Sequence, residues 1–219
     1  MFRNLLSNLS GFDPLGIVIS VCAVILSLTF HELMHGYVAL KLGDPTAKNA
    51  GRLTLNPLKH LDPIGLICMV LFRFGWAKPV PVSVMYFKKP RRDMAIVAAA
   101  GPIANLLFGF VSLFLYYLAA LYLPMGIVAN IAAEFLATLT VLNVGFAVFN
   151  LLPLPPLDGS RIAGLFLPPK YYWTLIRYER YIQIAVMIAL YLGLLTVPLA
   201  WARGLVLRGM EAVVRWILL

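Results

Sequence analysis

Apolar residues run almost without a break from Leu15 to Leu40, Met94 to Leu123, Ile127 to about Leu152 and Tyr181 to Trp201. Runs of this length predict membrane-spanning helices, because about 20 apolar residues rising 1.5 Å each match a hydrocarbon layer about 30 Å thick. The first run would extend about 39 Å as a helix, enough to cross with some tilt. A further apolar piece, Ile64 to Phe74, is too short to span and predicts a re-entrant or interfacial element. Gly51 to Asn56 and Val80 to Met85 are rich in β-formers, with Pro79 and Pro81 restricting the second to an edge. They predict a small membrane-associated β-hairpin, either offering its open edge to an added strand or simply covering what lies beneath. From Trp201 to Leu219 the charges of Arg203, Arg208, Glu211 and Arg215 interrupt apolar positions, which predicts an interfacial amphipathic helix. The expected fold is an all-α polytopic membrane protein.

Composition agrees: 62% of the 219 residues are apolar and only 12% charged, with a mean hydropathy of +0.89, too greasy for a soluble domain of this size. The start, Met1 to Asp13, is short and polar, and the first apolar run is too long for the core of a cleavable signal peptide. The net charge of +9 raises the question of nucleic acid, but the basic residues lie in short connections beside apolar runs. Membrane orientation and anionic headgroups account for them, so no nucleic-acid partner is expected. Ten of the 18 Lys and Arg fall between Lys41 and Arg92 and four between Gly159 and Arg180, while Leu123 to Ala133 carries none. The positive-inside rule then places the first and third connections in the cytoplasm, with the dense cluster Lys88-Lys89-Pro90-Arg91-Arg92 setting topology, a specific recognition role being the alternative. Cys22 and Cys68 are too few and too poorly spaced for a disulfide framework or a cysteine metal site.

The chemistry enters within the first apolar run, at His31-Glu32-Leu33-Met34-His35. Residues i and i+4 share a helix face, so the two imidazoles can bind one zinc ion. In this pattern the glutamate is not a ligand; it takes a proton from the attacking water. With three histidines and four glutamates in the chain, shuffling would produce the spacing in roughly one sequence in two thousand, so chance is a poor explanation. Ionisable groups at membrane depth are costly, which argues against a pair of merely structural histidines. Counted back from Lys41, His31 lies about 15 Å and His35 about 9 Å along the axis, below the cytoplasmic surface yet near its water.

Tetrahedral zinc with a water still lacks one protein ligand. Asp158 is a candidate among nine acidic residues, because it closes Asn150-Leu151-Leu152-Pro153-Leu154-Pro155-Pro156-Leu157-Asp158-Gly159, where three prolines break the helix and a glycine permits a sharp turn. Broken backbone survives at membrane depth only against protein or a water-filled cavity. Asp158 reads either as the third ligand or as part of an Asp-Gly turn closing a transmembrane hairpin.

Together these two motifs resemble the site-2 protease family of intramembrane zinc metalloproteases. The resemblance extends through Leu42-Gly43-Asp44-Pro45-Thr46-Ala47, Gly51-Arg52-Leu53-Thr54-Leu55-Asn56-Pro57, His60-Leu61-Asp62-Pro63-Ile64-Gly65 and Ala100-Gly101-Pro102-Ile103-Ala104-Asn105, and is to the compact prokaryotic branch. It implies a three-helix catalytic core over about residues 15–165: one helix with the histidines, one with Gly-x-x-x-Asn and one interrupted at the aspartate. It implies one Zn2+ held by His31, His35 and Asp158, with Glu32 as catalytic base. Asn150 matches the asparagine that opens the family's Asn-x-x-Pro segment; its amide either donates to the developing oxyanion or satisfies broken backbone beside Pro153. Neither the additional N-terminal span nor the inserted PDZ domain of some relatives is expected here, so the resemblance does not carry over substrate gating by those elements. Residues 1–219 are then a single membrane-embedded metalloprotease domain, ending in a transmembrane and amphipathic part at about 169–219.

Gly101 and Asn105, four apart, read as a close-packing face against the histidine helix, with substrate contact as the alternative. His60, in a polar loop between Asn56-Pro57 and Asp62-Pro63, reads as a turn histidine bonded to nearby backbone. The expected function is a zinc endopeptidase cutting in or near transmembrane segments of other proteins, with membrane-protein or membrane-peptide substrate and lipid bilayer as partners. The alternatives are action on short peptides, or a non-hydrolytic zinc-binding scaffold or metal transporter. A transporter would spread polar groups along a path, whereas here they cluster at one depth.

Overall fold

The computed structural model describes residues 13–62, 65, 78–124 and 126–218. The predicted all-α polytopic architecture is what it shows. Helix α1 is Pro14–Lys41 and α2 a single turn at Thr46–Asn49; α3 is Pro90–Tyr122 and α4 Ile127–Asn150. The short α5, Asp158–Ala163, follows, and then α6 (Pro169–Arg177), α7 (Glu179–Tyr191) and α8 (Thr196–Leu218). Three of these, α1, α3 and α4, are long and apolar enough to cross a membrane, with mean hydropathies of 2.1, 2.0 and 1.8.

Local chemistry sets the ends. Asp13 caps α1 by accepting from the Leu15 N–H at 3.1 Å, with Pro14 in the first turn, where a missing N–H costs nothing. Gly43, at φ 107°, turns the chain out of α1 while the Asp44 N–H bonds back to the Ala39 carbonyl at 2.9 Å. At the start of α3, Asp93 accepts from the Lys89 N–H at 2.9 Å.

Helix α3 is the centre of the bundle, packed against α1, α4, α5 and α8. Its buried face is made of small residues, including Ala95, Ala98, Gly101, Ala104, Gly109 and Ser112. Without a large hydrophobic gain between helices already in lipid, close backbone approach is what holds such a bundle together. The large apolar side chains Ile17, Val18, Leu107, Val111 and Leu115 point outward instead, as helices facing lipid require.

Two expectations change. The run Tyr181 to Trp201 is not one helix: α7 and α8 meet at 85°, turning at Gly193 with φ 73°. The predicted amphipathic stretch is the greater part of α8, which packs on α3 and α4. The β-rich segments also form no strand pair among the described residues. Residues 51–56 run through turns and bends, and Val84–Tyr86 is a 3-10 turn. Pro79 and Pro81 remove two ladder donors, and the surrounding backbone groups bond to side chains of α1 and the loop after it. The predicted re-entrant piece, Ile64 to Phe74, lies outside the described residues apart from Gly65.

Candidate active site

His31 and His35, one turn apart on α1, face α3, and Asp158 at the start of α5 meets them from the other side. The Nε2 atoms of the histidines are 3.0 Å apart, and Asp158 Oδ2 lies 3.2 Å from the first and 3.3 Å from the second. Four-coordinate zinc with bonds of 2.0–2.1 Å places its ligands about 3.3 Å from one another. The spacing is therefore that of a tetrahedral site.

Protonation points the same way. His31 Nδ1 lies 2.5 Å from Asn105 Oδ1 and His35 Nδ1 lies 2.7 Å from the Val97 carbonyl. Each acceptor needs the ring proton on Nδ1, which leaves each Nε2 with a bare lone pair. Two lone pairs and a carboxylate oxygen thus converge in a buried space, and Asp158 Oδ2 has no hydrogen-bond partner there. Such a cluster is unfavourable alone and is relieved by a cation, so the donor set fits Zn2+.

Space for the imidazoles comes from an absence on α3. A Cβ at Gly101 would stand 2.6 Å from His31 Cε1 and Nε2 and would overlap His35 Nε2. The next residue, Pro102, lacks the N–H that would bond the Ala98 carbonyl, loosening the ladder beside Val97. Glycine is equally required at 159, where a Cβ would overlap the carbonyl oxygens of Leu151 and Leu152. The proline-rich loop therefore folds tightly under Asp158. Beyond α5, Arg91 clamps the chain by donating to the Gly164 and Leu167 carbonyls at 2.5 and 2.6 Å, a structural task for one member of the basic cluster.

Glu32 faces an extended strap, residues 78–83, that crosses the site. The Val80 N–H donates to Glu32 Oε2 at 2.8 Å. Buried Arg52 donates to the Lys78 and Pro79 carbonyls at 2.6 and 3.1 Å, and the Lys78 N–H bonds the His60 carbonyl at 2.8 Å. At the far end, Asp44 accepts from the Ser83 N–H at 2.6 Å, from the Thr46 N–H at 2.9 Å and from the Thr46 hydroxyl. Burial alone would raise the Asp44 carboxyl, but these hydrogen bonds prevail and hold it below the usual carboxylate range.

Of the remaining candidates, Asn150 and His60 are held by backbone carbonyls near them in sequence. Asn150 ends α4 with its Nδ2 donating to the Phe146 carbonyl at 3.0 Å. His60 is fully buried with Nε2 2.8 Å from the Thr54 carbonyl, the backbone-bonded turn histidine expected of it. Asn105 does more than pack, since it holds a ring nitrogen of His31. Sequence reasoning missed Val97, whose contribution is a carbonyl, and the buried pair Ser27 and Asn143 behind Asn105. A polar residue inside an apolar run was the available signal for both.

Two imidazoles, a carboxylate and a neighbouring glutamate, set among apolar helices, are the parts of a zinc hydrolase working at a membrane. Comparison with known proteins agrees. The model of peptidase family M50 matches residues 121–195. A Bacillus subtilis (strain 168) protein named "Putative zinc metalloprotease YwhC" is 49% identical over 152 residues, 68% of this chain and 69% of its own. Rip2 of Mycolicibacterium smegmatis, named in the same terms, is 35% identical over 159 residues, 70% of this chain and 59% of its own. MJ0392 of Methanocaldococcus jannaschii, named "Zinc metalloprotease", is 29% identical over 145 residues, 66% of this chain and 33% of its own. No solved structure matches. The chain belongs to the site-2 protease family of zinc metalloproteases, peptidase family M50.

Proposed function

We propose that this membrane zinc metalloprotease is an intramembrane endopeptidase, hydrolysing peptide bonds in or near transmembrane segments of other proteins, with His31, His35 and Asp158 as zinc ligands and Glu32 as catalytic base. The observation that carries this reading is the place of His31 and His35, ten and six residues from the end of a 28-residue apolar helix that packs against two further helices long enough to span, with Asp158 brought to them from α5. By the distribution of Lys and Arg, the site lies nearer the cytoplasmic side. Residues 1–219 then work as one membrane-embedded unit, with a catalytic core at about 15–165.

Bound zinc would supply a Lewis acid that lowers the pKa of water towards about 7 and polarises the scissile carbonyl. The protein does the rest. Glu32 Oε2 is occupied by the Val80 N–H, which orients the carboxylate and leaves its other oxygen to take the proton from the attacking water. The same carboxyl then returns that proton to the leaving amine. The Asn150 amide nitrogen spends one N–H on Phe146 and retains a second for the oxyanion, a donor whose loss commonly costs about 10² to 10³ in rate. A substrate helix hides its carbonyls in its own hydrogen bonds, so local unwinding precedes attack, and helix-breaking residues near the cut favour it.

The test is cleavage of a single-span protein in proteoliposomes by wild type and Glu32→Gln. Cleavage within the span by wild type alone is expected. Cleavage only of short soluble peptides would replace this reading with a peptidase of the same fold, and equal cleavage by Glu32→Gln would overturn the assigned base.

A further inference from the structure

Behind the histidines, where α1, α3 and α4 meet, lies a buried polar chain that the hydrolytic chemistry does not touch. Ser27, Asn105 and Asn143 are each fully buried. Ser27 Oγ bonds the Ala23 carbonyl at 2.6 Å. Asn143 Nδ2 bonds Ser27 Oγ and the Leu139 carbonyl, both at 2.8 Å. Asn105 Nδ2 bonds Asn143 Oδ1 at 2.7 Å, and Asn105 Oδ1 meets His31 Nδ1.

The direction of every link follows from its ends. A carbonyl only accepts, so Ser27 spends its single proton on Ala23 and must accept from its other neighbour. The group of Asn143 that faces both Ser27 Oγ and the Leu139 carbonyl must then be its NH2, which turns its oxygen towards Asn105. Asn105 must answer with its own NH2, which turns its oxygen towards His31. His31 must answer with a proton on Nδ1, and its Nε2 lone pair is left facing His35 and Asp158. We infer that Asn143 is a positioning residue that, through Asn105, sets the ring tautomer of His31 and so prepares its Nε2 for zinc.

The neighbouring histidine shows why such a relay is needed. His35 Nδ1 faces a backbone carbonyl, which cannot turn round and offer a donor. A side-chain amide can, because a flip exchanges its oxygen for its NH2. With its NH2 towards Nδ1, Asn105 would select the opposite tautomer and place a proton where the metal belongs. Asn143 makes that flip costly, since it would set the Asn105 oxygen against Asn143 Oδ1 in a buried space, two acceptors facing each other; the Ser27 carbonyl, 3.5 Å from Asn105 Nδ2, opposes the flip more weakly.

The inference rests on His31 being a zinc ligand, and the experiment separates the two claims. Zinc affinity is measured by chelator competition on full-length detergent-purified wild type, His31→Ala, Asn105→Leu, Asn143→Leu, the Asn105→Leu/Asn143→Leu pair and Ser27→Ala, alongside the melting temperature of each zinc-free form. Asn143→Leu should weaken zinc about 10- to 100-fold, the usual size of such outer-shell losses. The double variant should be no weaker than Asn105→Leu alone, because the effect passes through Asn105. Ser27→Ala should stay within about twofold, because the Leu139 carbonyl still orients the Asn143 amide. Wild-type affinity in Asn143→Leu, or losses that multiply in the double variant, would refute the relay. A lower melting temperature without weaker zinc would show Asn143 to be structural only, and also refutes it. Retention of zinc by His31→Ala would instead remove the ligand assignment beneath it. If Asn143→Leu does not fold, Asn143→Ser, too short to reach both partners, is judged by the same criteria.

Discussion

The apolar bundle of α1, α3 and α4 and the less apolar C-terminal helices α6 to α8 treat polar groups in opposite ways. In the bundle, Ser27, His31, His35, Asn105 and Asn143 are buried and almost every donor and acceptor has one possible partner. In the C-terminal region the polar contacts lie towards the surface. Tyr117 on α3 donates to Glu211 Oε1 at 2.6 Å, and Arg215 reaches the same carboxylate at 2.7 Å. Arg161 pairs with Glu179 at 3.3 Å. Buried, unambiguous hydrogen bonding specifies one geometry, whereas exposed pairs hold helices together without defining atoms closely. The difference is what a metal site requires and a supporting helix does not.

The largest effects should come from the convergent atoms themselves. His31→Ala or Asp158→Ala should take zinc from about one per chain to nearly none by elemental analysis, with loss of cleavage, while Glu32→Gln should keep its zinc and lose cleavage. Equal zinc in Asp158→Ala would remove the aspartate from the metal. Next in size is Gly101→Ala. In a helix alanine is intrinsically favoured over glycine by about 1 kcal/mol, so the fold should persist while the new methyl displaces both imidazoles and zinc affinity falls at least about tenfold. Unchanged affinity would show that α3 can move away from α1.

Anchorage of the strap should matter less to the metal than to stability. Arg52→Met removes two charge-assisted hydrogen bonds and should cost about 2–3 kcal/mol in unfolding free energy, with zinc stoichiometry preserved. Loss of zinc in this variant would mean that the strap shapes the ligand cluster. Its other anchor, Asp44, has a folded-state pKa below the unfolded one, so its contribution is complete above the ordinary carboxylate range and is lost only as pH falls through the depressed value. Melting temperatures of Asp44→Asn and wild type should therefore differ at neutral pH and converge in acid. Smallest of all should be Glu211→Gln in the C-terminal contact, which should leave zinc content and cleavage unchanged. A drop in zinc there would show that this contact between α3 and α8 reaches the metal site.

Much of this protein was legible along the chain. The spans α1, α3 and α4 announce themselves by length and hydropathy, which are local sums, and His31 and His35 by a spacing that any helix converts to one face. Asp158 was marked by broken backbone in an apolar context. The C-terminal run was misread as one unbroken helix because its hydropathy continues past Gly193, where that glycine and the nearby Pro198 were the available break signals, and the β-rich segments because their backbone partners turned out to be Arg52, Asp44 and Glu32 rather than another strand. The link between Asn143 and His31 spans more than a hundred positions, and no local pattern distinguishes it from any other asparagine in a helix.

The sequence alone determined that the protein lies in a membrane, that it carries two imidazoles at the spacing of zinc ligands with a glutamate between them, and where a third donor was to be sought. Only the tertiary structure decided that Asp158 Oδ2 sits 3.2 and 3.3 Å from those imidazoles, that Gly101 clears the space for them and that Val80 orients Glu32. The reason is physical. Helix formation and membrane insertion depend on neighbours within a few turns, whereas the direction of a hydrogen bond depends on which acceptor another helix brings opposite it, and that is settled only when the helices pack.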